Sequence, residues 1–407
     1  MALRGAGYSP AVDTTALGIS SIANGAFAYA YTVLGLRAYG PEAFAPIALV
    51  WSVWALAVAA TTFPIQHWVN WRGELDGGLG RVRATVPALG GYVLVAAVAT
   101  AGVLWATVPA FRSDPTWVAL GGVLVVGSAT LGWGRGSLAA QGEYRSVAII
   151  IGSENAIRFL AAVIVAAMGG GVVVFGWTLA IGPLVLVPVS RRLRIHDKGS
   201  PAPFLVALGG LTVAVVVAQA FVQLGPLAIE WLDGSELEIS AVFATFALLR
   251  APVLVALGAV TRLTSPLTAM AQRRDAARLG RLLRAVTAAA IAGGAVAYAL
   301  GSAIGPDIVE FLFGAGTAID GGSTGAIALG MWLAVIALVL LVLHIASDST
   351  PQALAIWGAA GLLAFVTAVT SADPVSGVTA GFVIGEVAAV AASTAAHTVR
   401  YRRWQHG

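Results

Sequence analysis

The chain contains no cysteine and few charged residues. Without Cys, none of its 407 residues can form a disulfide, a thiolate metal site or a catalytic thiol. Charged residues make up 10% of the sequence, whereas soluble domains carry roughly 25%, and 58% of the residues are hydrophobic. This composition excludes an ordinary water-soluble fold.

The sequence also lacks recognisable catalytic and metal-binding motifs. It has no HExxH, no serine elbow and no paired Asp in a loop, and its five His residues are scattered without metal-ligand spacing. The stretch GWGRGS (132–137) has alternating glycines but no P-loop lysine, so we read it as close helix packing or a span end. We therefore expect neither an enzyme nor a bound cofactor or metal.

Long hydrophobic runs dominate the sequence. About twelve are long enough, at ~20 residues, to cross a bilayer as helices. They predict an all-α polytopic membrane protein. The runs lie near residues 14–37, 43–66, 85–108, 116–138, 147–168, 171–189, 203–231, 239–261, 285–305, 322–344, 351–371 and 375–398.

The charged residues between the spans predict the orientation. Nineteen basic residues fall on one side, with Arg135 near the end of the fourth span among them, and only Arg37 and Arg112 fall on the other; Arg158 and Arg250 lie inside spans. The positive-inside rule then places both termini in the cytoplasm, in a plasma membrane. The positive charge suits anionic lipids rather than nucleic acid. The loop 262–284 alternates Leu with Arg and suits either a helix on the headgroups or a solvated loop.

Three sequence matches indicate an internal duplication. The segment GGLGRVRATV (77–86) matches ARLGRLLRAVTA (277–288), and YGPEAFAPIALVWSVWAL (39–56) matches DGSELEISAVFATFALL (233–249). The third match is a Pro in each half, near the end of the span that lies between the two matched segments. Since six spans are an even number, the halves would be parallel repeats related by an axis along the membrane normal. A cleft is expected between them.

The duplication predicts three segments. Residues 1–189 would form an N-terminal six-helix bundle and residues 203–407 a C-terminal one. Residues 190–202, which are basic and then rich in Gly and Pro, would link them on the cytoplasmic side. Because no loop is long enough to fold as a domain, any function must be built from the spans.

Several stretches resemble one transporter family. The segment GPEAFAPIAL after the first span, the region 135–166, the region 224–290 and GPDIVEFLFG (305–314) are similar to the polysaccharide (Wzx-type) flippases. These belong to the multidrug/oligosaccharidyl-lipid/polysaccharide (MOP) exporter superfamily. The resemblance covers most of residues 20–315 and fades after that.

The resemblance implies a fold and a function. The fold would be that of MATE proteins and lipid flippases. The function would be alternating-access transport of polyprenyl-diphosphate-linked oligosaccharide to the outer leaflet, for cell-envelope polysaccharide. Its partners would be that glycan lipid, membrane lipids and glycosyltransferases or a polymerase of the same pathway. Where some members have an acidic residue in the seventh span, this chain has Gln219 and Gln223.

Arg250 is the main candidate for substrate binding. It lies at the centre of the eighth span, two residues before Pro252, where a guanidinium costs a few kcal/mol on insertion scales. Arg stays charged and binds phosphate oxygens with a bidentate fork, which suits a diphosphate headgroup. The alternative is an ion pair with Glu386 in the last span.

Other polar residues inside the spans complete the predicted site. Arg158 follows Glu154 by four residues, so it either forms a structural ion pair or lines the cleft. Glu386 and Glu154 are the candidates for ion coupling, and a structural role is open for both. Four amides are candidates for sugar contacts or for helix–helix hydrogen bonds: Asn24, Asn155, Gln219 and Gln223.

Two other functions are compatible with these spans. A drug/cation antiporter of the same superfamily would need an acidic cleft, whereas cations match or outnumber acids at mid-membrane here. A non-transporting scaffold of a glycan-assembly complex would have a tightly closed seam between the bundles and fully paired arginines.

Overall fold

The protein is helical throughout the part of the chain that the structure describes. The computed structural model describes residues 10–75, 86–192, 216–347 and 349–406, and no strand occurs within these ranges. The first half contains α1 (Pro10–Tyr39), α2 (Pro41–Leu75), α3 (Val86–Thr107), α4 (Ala110–Ser113), α5 (Thr116–Ala140), α6 (Tyr144–Ala167), α7 (Val172–Trp177) and a 3₁₀ segment (Thr178–Arg192).

The described part of the second half contains eight further helices. They are α8 (216–223), α9 (Gly225–Trp231), α10 (Glu236–Leu249), α11 (Ala251–Gln272), α12 (Ala276–Phe313), α13 (Gly321–Ala346), α14 (Thr350–Val369) and α15 (Pro374–His406). The predicted linker lies outside the described residues, apart from its first three positions.

The membrane spans follow the predicted pattern with two exceptions. Within the described ranges, ten helices are long and apolar enough to cross a membrane, so the chain is a multi-pass membrane protein. The predicted seventh span, 203–231, is described only from residue 216 and is divided between α8 and α9. The predicted eighth span, 239–261, is interrupted at Arg250. Hydropathy detects both segments but not their interruptions.

The basic loop 262–284 does not form a separate surface helix. Residues up to Gln272 continue α11, and residues from Ala276 begin α12. Leu279 and Leu283 are buried in a cluster within the second half, whereas Arg278 and Arg281 are exposed. The Leu–Arg alternation is therefore amphipathic as predicted, but its apolar face packs on protein.

The helices form two groups, which we call the N lobe (α1 to Arg192) and the C lobe (α8 to α15). Within the N lobe, α2 packs on α5 and α1 on α6; within the C lobe, α12 and α15 pack on α13. A core cluster joins the lobes, with Trp51 of α2 and Phe243 of α10 at 6.0 Å between ring centroids. We call the face at which α1 begins and α15 ends the terminal face, and the opposite one the distal face.

Glycines bring α5 close to α2. A Cβ at Gly136 would lie 2.7 Å from the carbonyl oxygen of Gln66, and one at Gly132 would meet the backbone of Thr62. This small-xxx-small pair confirms that GWGRGS is a helix-packing motif. With this face of α5 against α2, Arg135 is left to point toward α6.

Candidate functional site

A break between two helices of the C lobe lies at Arg250, where α10 ends and α11 begins. Ser235 begins α10 with a capping box that includes Glu238. The helix ends at Arg250, whose backbone N–H still bonds to the oxygen of Phe246 at 3.0 Å. Pro252 has no N–H to donate and so favours the start of a new helix there. The break places Arg250 between the carbonyl end of α10 and the amide end of α11, so the dipoles of the two helices oppose each other at this position.

Arg250 is partly exposed and is paired only with neutral groups. Its Nη1 donates to Gln223 Oε1 at 3.3 Å, and Gln223 Nε2 donates to Gln219 Oε1 at 3.5 Å. The guanidinium lies 6.0 Å from the ring centre of Trp51 in the N lobe. In the described ranges no carboxylate forms an ion pair with Arg250, so the pairing with Glu386 is not formed. Three of the predicted site residues therefore meet at the boundary between the lobes.

Arg158 has very different surroundings. It is 2% exposed, and its Nη1 donates to Glu154 Oε1 at 2.6 Å and to Asn155 Oδ1 at 2.7 Å. Its Nε donates to the oxygen of Leu179 at 2.8 Å. The guanidinium lies 4.9 Å from the ring centre of Trp54. Arg158 is thus enclosed within the N lobe, with a carboxylate partner.

Arg135 is buried in the N lobe, whereas the loop charges predicted an exposed residue at the end of its span. It is 8% exposed, and its Nη2 forms an ion pair with Glu154. Glu154 therefore bridges two guanidinium groups, one on α5 and one on its own helix α6. Hydropathy could not reveal this, because Arg135 is five residues from the end of its span and resembles a boundary residue.

Two tryptophans separate the arginines of the two lobes. Trp51 and Trp54, one turn apart on α2, are in edge contact at 5.4 Å between ring centroids. Trp54 faces Arg158, and Trp51 faces Arg250. The two arginines therefore do not meet in one cavity in this conformation. The pattern WSVW was visible in the sequence, but nothing there distinguished these rings from ordinary span residues.

The amide candidates divide between the lobes. Asn155 Nδ2 donates to the backbone oxygen of Asn24 at 3.2 Å, which ties α6 to α1, and the Oδ1 atom of Asn24 is buried without a partner. Both residues belong to the surroundings of Arg158 rather than of Arg250. Glu386, on α15, is completely buried, and neither carboxylate oxygen has a partner among the described residues.

Polar bonds join the two lobes at the distal face. Arg37 of α1 donates from Nε to the oxygen of Leu312 at 2.8 Å and from Nη2 to the oxygen of Phe311, at the end of α12. Ser240 of α10 donates to the oxygen of Pro41 at 2.5 Å. The lobes are therefore joined at the distal face.

We expect Arg37→Ala to weaken this distal contact. Losing the guanidinium leaves two carbonyls at the end of α12 without their donor, which should cost about 1 kcal/mol at an exposed site and shift the population of the distally closed state about fivefold. Because the chain lacks cysteine, spin labels can be attached at Met168→Cys and Ser371→Cys alone. Double electron–electron resonance spectroscopy then measures the distance between the lobes at this face.

Arg112→Ala is the matched control for this measurement. Arg112 also donates to helix-end carbonyls, those of Trp105 at 3.2 Å and Ala106 at 2.9 Å, but these belong to its own lobe. Its removal should leave the inter-lobe distance unchanged. Equal distance distributions for the wild type and Arg37→Ala would show that the Arg37 bonds do not hold the lobes together.

The described residues contain no cluster of three or more His, Asp or Glu side chains that could hold a metal ion. Of the ionisable groups at the site, Arg250 is a cation without a carboxylate, and Glu386 is a carboxylate without a cation. The arrangement can bind an anion at the lobe boundary. It can also take up a proton inside the C lobe.

Comparisons with known proteins identify the fold. No family model and no curated protein matches the chain. Among solved structures, it is similar to an inward-facing MATE family transporter of the MOP superfamily, with 16% identity, a TM-score of 0.69 and coverage of 94% of this chain and 95% of that one. For an outward-facing structure of such a transporter the TM-score is 0.60, with 16% identity and coverage of 97% and 96%.

A third structure is distinguished by its binding pocket. It is a MOP superfamily transporter from Pyrococcus furiosus Vc1, in which reverse polarity of the binding pocket suggests a different function. It is 16% identical, with a TM-score of 0.62 and coverage of 97% of this chain and 96% of that one. At these identities the similarity shows the fold: the chain has the MATE-like fold that the sequence predicted.

Proposed function

We propose that the protein is an alternating-access transporter that moves a polyprenyl-diphosphate-linked oligosaccharide across the plasma membrane, from the cytoplasmic to the outer leaflet. The product would supply cell-envelope polysaccharide. Solved structures of this fold include inward-facing and outward-facing states, which supports the alternating-access part of the proposal. The joined distal face then corresponds to the state that receives substrate from the terminal face.

The observation that carries this proposal is the uncompensated charge of Arg250. An intramembrane arginine is costly unless it is paired or faces a wet cavity. Arg250 lies at the lobe boundary, is partly exposed and donates only to the neutral Gln223. A diphosphate would supply the missing negative charge and accept the remaining guanidinium protons in bidentate geometry.

The amides beside Arg250 suit a sugar substrate. Gln219 and Gln223 lie one turn apart on α8, and each presents both donor and acceptor atoms. Trp51 adds an aromatic surface on the opposite lobe. Neutral hydrogen-bonding groups and an aromatic ring beside a cation match a glycan attached to a phosphate better than they match a hydrophobic cation.

A second candidate is drug/cation antiport, with which the comparisons are compatible. One of the similar structures is that of a multidrug resistance transporter. The polarity of the pocket decides between the two candidates, since reverse polarity in the Pyrococcus furiosus transporter suggests a different function for that protein. An organic cation would have to approach Arg250, which has no neutralising carboxylate in the described part of the chain. The charge at this position therefore opposes cation binding.

Transport by the purified protein in liposomes tests the proposal. We expect a fluorescent polyprenyl diphosphate carrying a short glycan to cross the membrane of protein-containing vesicles. Crossing is measured as the fraction of its fluorescence that a membrane-impermeant quencher, added outside, can remove. A fluorescent organic cation should show no protein-dependent flux under the same conditions. The opposite selectivity would replace the first candidate with the second.

A further inference from the structure

One face of α15 is polar and buried along its length. Thr379, Glu386, Ser393 and His397 are between 0% and 3% exposed. Successive members are seven or four residues apart, so they share one face of the helix. The rest of the helix is mainly apolar, as expected for a membrane span. Buried polar groups inside a membrane protein are costly and mark functional paths.

Glu386 lies at the centre of this face in apolar surroundings. It is 0% exposed, and neither oxygen has a hydrogen-bond partner among the described residues. Phe382 and Val390, one turn away on either side, are buried core residues, and Phe221 packs against the adjacent Gly385. An ionised carboxylate enclosed in this way would lose its solvation without compensation. The lobe can bury Glu386 in its protonated form.

The helices around α15 provide no cation for Glu386. From α13 the nearest ionisable residue along this face is His344, α14 has none, and α9 carries only Glu230. Arg250 donates to Gln223 instead. The ionisable residues of α12 are also distant from Glu386 along the helix or exposed. Tyr298 is on the exposed side of α12, and the others lie near its two ends: Arg278, Arg281, Arg284, Asp307 and Glu310.

A pair of histidines lies between Glu386 and the terminal face. The rings of His344 and His397 are 4.2 Å apart between centroids, both residues are completely buried, and both Nε2 atoms lack partners in the described structure. Arg400 can only donate, so His397 Nδ1 accepts from it at 3.1 Å and the His397 proton is on Nε2.

His344 has the complementary tautomer. The hydroxyl of Ser349 donates to the backbone oxygen of His344 at 3.0 Å, so His344 Nδ1 donates to that hydroxyl at 3.1 Å. Its Nε2 is therefore a free acceptor. The two rings thus carry a proton on one Nε2 and a lone pair on the other, but no hydrogen bond joins these two atoms in this conformation, so passing a proton between them requires a ring to rotate. His397 lies about 16 Å from Glu386 along α15, with Ser393 between them.

We propose that Glu386 is a proton-binding site of the C lobe, reached from the terminal face through His344, His397 and Ser393 along α15. One proton adds to the carboxylate to give the neutral acid, and its release restores the anion. A hard metal cation such as Na⁺ needs several oxygen ligands, which the apolar neighbours of Glu386 do not supply. If the proposed transport function holds, this proton is the coupling ion.

Infrared spectroscopy of the reconstituted protein tests the site without any transport substrate. We expect the wild type at neutral pH to show the carbonyl stretch of a protonated carboxylic acid in an apolar environment. Glu386→Gln should remove this band, and Glu386→Asp should keep it at a shifted frequency. The control Glu310→Gln changes an exposed carboxyl on α12 and should keep the band unchanged. A wild type without the band, or a band that persists in Glu386→Gln, would overturn the proposal.

The route and the coupling are measured separately. After a pH jump, His397→Phe should slow the response of the Glu386 band by about tenfold or more, because an aromatic ring that cannot carry a proton replaces the imidazole; an unchanged rate would overturn the route. A Glu386 band combined with no flux of polyprenyl diphosphate would leave the proton site intact and reject the proposed function. Glycan-lipid flux in a protein without the Glu386 band would support the proposed function and reject the proton site.

Discussion

Arg250→Ala is expected to abolish transport while leaving the protein folded. The variant removes the guanidinium that would hold the diphosphate at the lobe boundary. Truncating a hydrogen-bonded charge in a binding site costs about 3 kcal/mol or more, which is over a hundredfold in affinity. Folding should persist because Arg250 has no carboxylate partner in the described structure that its loss would leave unpaired.

Two further variants sharpen this expectation. Arg250→Lys keeps the charge but loses the bidentate fork, so it should restore only part of the flux. Gln223→Ala removes the neutral partner of Arg250 and should weaken transport less than Arg250→Ala does. Flux is measured with the fluorescent polyprenyl diphosphate, and folding is checked by size-exclusion chromatography. Wild-type flux in Arg250→Ala would remove this residue from the mechanism.

Glu154→Ala is expected to destabilise the protein, in contrast to Arg250→Ala, which should remain folded. Glu154 bridges Arg135 and Arg158, which are both buried. Its removal leaves two guanidinium groups close together without a neutralising carboxylate. Breaking a buried ion pair in this way costs about 3–5 kcal/mol. We expect poor expression and a large decrease in the temperature at which the detergent-solubilised protein unfolds.

The matched control is Glu310→Ala, which removes an exposed carboxylate elsewhere and should leave the unfolding temperature near that of the wild type. Gly182→Ala disturbs the same ion-pair network by a steric collision rather than by the loss of a charge. A Cβ at Gly182 would collide with the guanidinium of Arg158, so this variant should also lower the unfolding temperature. If Glu154→Ala unfolds at the wild-type temperature, the N-lobe network does not stabilise the fold.

The two predictions separate the two intramembrane arginines that the sequence offered as candidates. Arg158 has a carboxylate, an amide, a backbone carbonyl and a tryptophan ring around it. Its geometry therefore suits a structural role in the N lobe. Arg250 has one neutral amide and partial exposure. Of the two, only Arg250 lacks an anionic partner among the described residues.

Much of the fold could be predicted because its determinants are local. Runs of apolar residues require helices in lipid, since every backbone polar group must be satisfied internally. Pro252 lies beside the interruption of the eighth span, and the four-residue spacing of Glu154 and Arg158 made their ion pair one of the two alternatives. These features depend on neighbours along the chain.

The partners across helices could not be predicted. Arg135 meets Glu154 only because glycines bring α5 against α2 and turn the arginine toward α6. The partners of Arg37 are far along the chain, at the end of α12. Such contacts depend on which faces of the helices meet, and a single sequence does not specify this.

Chemical labelling beside Arg250 tests the central claim most directly. Because the chain has no cysteine, Gln223→Cys introduces one thiol next to the guanidinium without removing it. If Arg250 is a cation facing a hydrated cleft, a negatively charged methanethiosulfonate should react with this thiol on the order of tenfold faster than a positively charged one. The double variant Gln223→Cys/Arg250→Gln should lose this preference. A thiol that neither reagent reaches, or one that reacts faster with the cation, would contradict the account.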